Sequence, residues 1–395
     1  MQWLLMSYSA VVRRGSMKRN RHWSKRVRWG RLLVLLAILL WVAGSWPTYQ
    51  PPSRPEVRLR LNYLERVIQE GAAPNTDLGR LTQMNPEWGL FTLSFSTYAL
   101  ANLAARQPDL RAEAAATIGR AIQVALMPPL RQPFEETLPN KYLAASLPSS
   151  VLYLGHLNLM LGCHRQLVPS SPYRHLHDSL SAALAARYQE PAGNLTSYPH
   201  LRWLPDNTVA LASLALHSRL TGSAYTVAGR RWVARAKAQW LDPKTGLLAS
   251  MVDAAGRPSE APRGSHLGWS IWFLAQVDSA FARQQYALYQ RHHSTNLGAL
   301  RLYSEFADSY ETGAGNVDSG PLILGYGIPT TAFAFADAVA LRDWRNAQRL
   351  RRVISLGSRD IREGDELRYG VRLVNLDVNP LSEALLLWAD VPGGR

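Results

Sequence analysis

Trp88–Ala105 reads WGLFTLSFSTYALANLAA, a run without a charged side chain. A helix of that composition is apolar on every side and has to be buried. Five more apolar stretches follow it: SVLYLGHLNLMLGCHRQL from Ser150, NTVALASLALHSRL from Asn207, LGWSIWFLAQVDSAF from Leu267, PLILGYGIPTTAFAFADAVAL from Pro321 and PLSEALLLWA from Pro380. They start about every 60 residues, the spacing of a repeat. More polar, Arg- and Gln-bearing helical segments alternate with them, near Val57–Gln69, Leu110–Leu126, Tyr173–Tyr188, Tyr225–Trp240, Phe281–His292 and Asp343–Ile354. One buried and one amphipathic helix, six times over, predicts an all-α (α/α)6 toroid, because no single copy can bury its apolar face alone.

The connections are unequal. Links from inner to outer helices are short, such as Gln107-Pro108-Asp109 and Thr221-Gly222-Ser223, as antiparallel neighbours require. Links from outer to inner helices are long: Met127–Pro148, Glu190–Pro205, Leu241–His266, His293–Gly320 and Ser355–Asn379. Long loops in a compact domain carry function, and in a toroid all of these gather where the inner helices begin. Two pieces, Gly246–Arg257 with Ala254–Gly256 as its turn and Asp365–Asn375, read as minor β-hairpin decorations. The glycines of Gly320–Gly327 read as sites of close helix packing.

The net charge is +15 over 395 residues, but residues 1–31 hold nine Arg and Lys and no acid; removing those nine leaves +6. The folded part therefore has no strong electrostatic case for nucleic acid. Leu32–Trp46 (LLVLLAILLWVAGSW) is uncharged and as a helix spans about 22 Å, with flanking Trp and Tyr to extend its reach. The expected organisation is a basic cytoplasmic segment at 1–31, a transmembrane signal anchor at 32–49, a Pro-rich linker at 50–57 and a toroid at 58–395. A cleaved signal peptide, cut near Ala43 and Ser45, is the alternative. Either one places the domain on the extracytoplasmic side, with the membrane as a partner in the anchored form. The lone Cys163 excludes an internal disulfide and reads as a small buried hydrophobe.

At the expected mouth, aromatics stand beside carboxylates and imidazoles, a set suited to sugars. Glu311, Asp318, Asp206 and His266 are the catalytic candidates. Trp203, Trp269, Asn207, Tyr153, His156, Tyr310, Glu87 and Trp88 are the substrate-binding candidates, and Tyr142 and Glu383 also fall at this face. Pro205-Asp206-Asn207 before an apolar run makes Asp206 an N-cap, a catalytic carboxylate, or both. Asp318 is in the same position unless Ser319 caps instead. Glu311 has no capping duty, which suits a general acid, and a glycosidic bond needs two carboxylates flanking it. The histidines show no metal-ligand spacing, and His175 and His177 read as solvated on an outer helix. There is no GxSxG elbow, P-loop or dinucleotide loop, so neither cofactor nor metal is expected.

The segments LYLGHLNLMLGCHRQL, WLPDNTVALASLALHSRLTG and VDSGPLILGYGIPTTAFAFADAVALRD resemble those of bacterial (α/α)6 proteins of the linalool dehydratase/isomerase-like domain group, over roughly Leu61 to Ala389. That resemblance implies the toroid and, for activity, a hydro-lyase or isomerase on an isoprenoid-like alcohol. The residues themselves point to a membrane-tethered, exported enzyme acting on a glycan or polyhydroxylated substrate by carboxylate acid/base chemistry. A non-catalytic toroid that binds a glycan or a protein in the cell envelope is the third expectation.

Overall fold

The computed structural model describes residues 29–39, 51–135, 147–311, 313–316, 318–372, 376–377 and 379–391. Two compact units are present, Met1–Thr48 and Tyr49–Arg395. In the first, residues 29–39 form a helix, α1. This corrects the transmembrane part of the expected fold class. Among the described residues no helix is long and apolar enough to cross a membrane. The rest of the expected anchor, residues 40–49, and the basic segment up to residue 28 lie outside the described residues, as does Tyr142.

The second unit begins with α2 (Arg54–Glu70), which starts inside the expected linker because Ser53 caps it and Pro55 fits its first turn. Then follow α3 (Asp77–Met84), α4 (Pro86–Arg106), α5 (Arg111–Ala125), α6 (Pro128–Arg131), α7 (Val151–Leu167) and α8 (Arg174–Arg187). The second half holds α9 (Leu204–Thr221), α10 (Thr226–Gln239), α11 (Gly264–Val277), α12 (Ser279–His293), α13 (Ile328–Ala340), α14 (Trp344–Gly357) and α15 (Pro380–Asp390). Six of these helices, α4, α7, α9, α11, α13 and α15, each pack on the next, and α15 packs back on α4. They form a closed inner ring, and α2, α5, α8, α10, α12 and α14 pack outside it.

Inner neighbours run in the same direction. Along α7 and α9 the matched contacts advance together: Gly155 with Ala210, Asn158 with Ser213, Gly162 with Leu216. Gly155 is needed there, since a Cβ would come within 3.0 Å of the Ala210 backbone nitrogen. In the same way Gly264 and Gly268 of α11 meet Thr330 and Phe333 of α13. The axis is filled by aromatic rings from five of the six inner helices. Phe95 meets Trp388 at 4.8 Å and Trp269 at 5.2 Å, and Trp269 meets Phe333 at 5.3 Å and His156 at 5.4 Å. Edge-on packing of this kind adds to the burial of large apolar area.

The ring closes through buried charge. Arg60 of α2 bonds Glu383 of α15 at 3.1 Å and Asp360 at 2.7 Å, and its guanidinium lies 3.7 Å from the Tyr369 ring. Arg351 of α14 holds Asp390 at 2.9 Å and the Tyr369 hydroxyl at 2.8 Å. Glu383 also accepts from the Tyr369 amide at 2.8 Å. Its carboxylate, expected at the mouth, serves this closure.

Strands decorate the loops more than expected. Met251–Val252 pairs with Pro258–Glu260 and with Arg202–Trp203. Ser294–Leu297 pairs with Leu300–Tyr303, and Ser358–Glu363 with Glu366–Val371. The fifth inner helix begins at Ile328, not Pro321, because Leu322–Ile323 pairs with Tyr326–Gly327 as a tight hairpin. Its two turn residues, Leu324 and Gly325, have φ of 53° and 85°, the pair of positive values that a two-residue hairpin requires. Gly325 thus serves a turn rather than helix packing.

Candidate functional site

The N-terminal ends of the inner helices bring three carboxylates into electrostatic contact. Glu87 lies in the first turn of α4, whose N-cap is Asn85. Its side chain accepts a hydrogen bond from the Tyr198 hydroxyl. Tyr198 is held by a four-residue turn: the Leu201 amide bonds the Tyr198 carbonyl at 3.0 Å, Pro199 fills the second position, and His200 adopts a φ of 65° at the third. This has the form of a type II turn, with histidine where glycine is usual.

Asp206 stands in the first turn of α9, but it is not the cap. Trp203 occupies that position without a side-chain capping bond. Asn207 ties the helix start instead, accepting from the Leu195 amide at 2.9 Å and donating to the Trp203 carbonyl at 2.8 Å. Asp206 is thereby released from backbone duty and accepts from the Ser197 hydroxyl at 2.5 Å. It is only 7% exposed. Burial, and then the charges of Glu87 and Asp318, push its carboxyl well above the usual range, against the Ser197 hydrogen bond. Glu87 is raised too, first by burial and then by Asp318, against the pull of Tyr198 and His266.

Asp318 goes the other way. It sits in the loop ahead of α13, beside His266 in the first turn of α11, with Nε2 to Oδ2 at 3.3 Å. Burial opposes its ionisation, but the hydrogen bond and charge of His266, the charge of Arg263 and the Asn316 amide outweigh it and hold the carboxyl below its usual range. Ser319 does not cap a helix; its hydroxyl accepts from the Asn316 amide at 2.9 Å. Trp203 packs edge-on to His266, centroids 4.9 Å apart, and is partly exposed. Two acids biased toward the protonated form, one biased toward the carboxylate, an imidazole and an aromatic face therefore meet at one end of the ring. That is an acid/base set.

Other candidates lie elsewhere. Glu311 is exposed and has no partner among the described residues. Tyr310, its neighbour, donates to Asp242. Tyr153 is fully buried and donates to the Ala125 carbonyl at 2.9 Å. His156 and Trp269 are in the aromatic axis, where burial lowers the imidazole to about 3 and where His156 Nε2 and Trp269 Nε1 have no partner. Trp88 is half-buried. Cys163 is buried, and burial pushes its thiol up to about 12. His177, expected in solvent, is fully buried.

Sequence reasoning missed Tyr198 and Ser197, whose hydroxyls donate to two of the carboxylates. It also missed Glu305, fully buried, which accepts from Arg263 at 2.9 Å, the Ser265 amide at 3.0 Å and the Thr330 hydroxyl at 2.5 Å. Glu305 locks the starts of α11 and α13 together and so positions His266. Nothing near Glu305 in the chain signals this, since its side-chain partners come from two other segments.

No family model matches the chain. Solved structures do match its fold. The α-1,6-mannanase GH76A of Salegentibacter sp. HEL1_6, an inactive variant in complex with α-1,6-mannotetrose, superposes with TM-score 0.53 at 12% identity, covering 86% of this chain and 99% of that one. A family 105 glycoside hydrolase of C. acetobutylicum ATCC 824 gives 0.51 at 11% identity over 76% and 92%. An unsaturated glucuronyl hydrolase specific for heparin gives 0.50 at 12% over 84% and 96%. The chain thus has the mostly helical (α/α)6-toroid fold of these glycoside hydrolases, and at such identities the likeness is one of fold.

Proposed function

We propose that this protein is a glycan-acting enzyme that works by carboxylate acid/base chemistry at the N-terminal end of its inner ring. The observation that carries the reading is the divergence of Asp206 and Asp318, one raised and one lowered, within a single electrostatically coupled group. Asp206 holds the proton and serves as general acid to the leaving oxygen. Asp318, kept ionised beside His266, activates water or attacks the sugar carbon. Glu87 and Tyr198 form a second proton-holding pair beside them, and Trp203 offers a ring face to a sugar.

The toroid neighbours support this reading through the substrates their names record: an α-1,6-linked mannooligosaccharide, and heparin-derived unsaturated glucuronides. The mannanase variants are inactivated at two adjacent aspartates. No two aspartates are adjacent here, so a different pair has to act. The test is turnover on α-1,6-mannooligosaccharides, unsaturated uronides and a wider glycan panel, followed by new reducing ends. Turnover lost in both Asp206→Asn and Asp318→Asn supports the proposal; turnover unaffected by both sinks it.

The aromatic axis, where His156 Nε2 and Trp269 Nε1 lack a hydrogen-bond partner among the described residues, favours a second reading, a hydro-lyase or isomerase on an isoprenoid-like alcohol. Turnover of such an alcohol that survives Asp206→Asn and fails in Trp269→Ala would select it. Binding of a glycan without turnover would select the non-catalytic toroid. An extracytoplasmic place for the domain belongs to the proposal as well, supported by the nine cations before an apolar run. Alkaline phosphatase fused after Arg395 should be active, and fused after Arg28 inactive.

A further inference from the structure

At the opposite end of the ring from the carboxylates, three side chains converge between α8 and the C-terminal part of α9. His177 and Asp178 lie in α8 and His217 in α9, and one ligand atom from each falls within 4.8 Å of the others. Asp178 Oδ1 is 2.8 Å from His217 Nε2 and 2.5 Å from the Arg165 guanidinium. The far nitrogen of the same imidazole, Nδ1, is 2.9 Å from the Ser223 hydroxyl and 3.2 Å from that of Thr221.

His177 is the unexplained member. It is fully buried, and neither of its ring nitrogens has a partner among the described residues. Its ring lies 4.7 Å from that of His217. A neutral imidazole carries one N–H and one lone pair, and buried polar groups are ordinarily satisfied. His177 therefore presents an unused lone pair beside a carboxylate and a second imidazole. His217 adds to this. If Ser223 accepts its Nδ1–H, Nε2 faces Asp178 with a lone pair, and two acceptors 2.8 Å apart need a cation between them.

We propose that His177, Asp178 and His217 bind a divalent transition-metal ion of the zinc class, which clamps α8 to α9. Two imidazoles and one carboxylate are a borderline-soft donor set that suits zinc rather than magnesium or calcium. Water completes the coordination on the exposed side of Asp178. Zinc–nitrogen and zinc–oxygen bonds of about 2.0–2.2 Å draw the three ligand atoms closer together, by about an ångström where they now lie farthest apart. Arg165 is the charge that opposes the ion. Its hydrogen bond falls on Oδ1, so Oδ2 is left for the metal while Arg165 keeps its own bond. The hydroxyls of Ser223 and Thr221 orient the His217 ring, as outer partners of metal-bound histidines do.

The test uses the full 395-residue chain, stripped with a chelator and titrated with zinc ion by calorimetry and by thermal unfolding. The expected result is one saturable equivalent and a rise in Tm, with affinity at least about tenfold weaker in His217→Ala and in Asp178→Asn. Asp206→Asn and Asp318→Asn, at the other end of the ring, should bind as wild type does. Cobalt(II) added to wild type should give the visible absorption of a nitrogen-ligated site, a readout that needs no variant to fold. Absence of saturable binding, a featureless cobalt spectrum, or binding lost in the Asp206 and Asp318 variants while kept in His217→Ala would overturn the proposal.

Discussion

Two groups of buried acids occupy this ring, and they differ in what faces them. At the closure, Glu383 and Asp390 each meet an arginine, Arg60 and Arg351. At the N-terminal face, Asp206 meets a serine hydroxyl, Glu87 a tyrosine hydroxyl, and Asp318 a histidine. A buried ion pair with a guanidinium is a fixed structural unit, and removing one partner leaves the other charge stranded. Acids faced by hydroxyls and by one another have no such fixed partner, so their protons remain available for chemistry. The contrast separates scaffold from site without reference to any relative.

The largest expected effect is at the closure. Arg60→Ala strands the buried Glu383 carboxylate and should cost about 3–5 kcal/mol, read as a fall in the denaturant midpoint. If the loss is under about 1 kcal/mol, Arg60 and Glu383 do not form a closing pair.

Asp206→Asn comes next. It should lower turnover by about a hundredfold with Tm unchanged or higher at neutral pH. The sign follows from its raised carboxyl. The unfolded chain ionises first, so the native acid loses stability as pH climbs past the ordinary carboxylate range, and the amide is spared that loss. If Asp206 were instead a helix cap, Asp206→Ala would cost about 1 kcal/mol.

Asp337 sharpens the rule from the other side. It is fully buried in α13, both oxygens lack partners among the described residues, and burial raises its carboxyl well above the usual range. Asp337→Asn should raise Tm at pH 8, and the gain should vanish by about pH 3, where both states of the wild-type acid are protonated. A gain that is constant with pH would mean Asp337 is not held neutral in the native protein. The smallest effect belongs to Tyr198→Phe, which deletes the donor to Glu87. It should reduce turnover by roughly tenfold with little change in stability, and full activity would remove Glu87 from the site.

The six inner helices were legible because burial on all sides leaves a simple compositional trace, and unequal link lengths show which ends carry loops. Asp206, His266, Asp318, Glu87 and Trp203 could be nominated on that basis. What was hidden depended on conformation or distant partners. The Leu324 turn carries a φ that leucine rarely adopts, so the hairpin before α13 had no sequence signal. The capping role assigned to Asp206 failed because Asn207, one residue on, reaches back to Leu195 and Trp203. Glu311 looked free of structural duty and has no partner among the described residues, but it lies exposed rather than with the coupled acids. The anchor reading rested on an apolar run with a basic flank and interfacial aromatics, but among the described residues no helix is long and apolar enough to cross a membrane.

The central claim is that Asp206 and Asp318 act as acid and base because their surroundings drive their protons apart. The pH profile of kcat/KM on a turned-over glycan tests it most directly. The account predicts a bell: an acid limb at or below the ordinary carboxylate range as Asp318 takes up its proton, and an alkaline limb well above it as Asp206 loses its own. A profile with no alkaline limb, or with both limbs at ordinary carboxylate values of about 4, would contradict it.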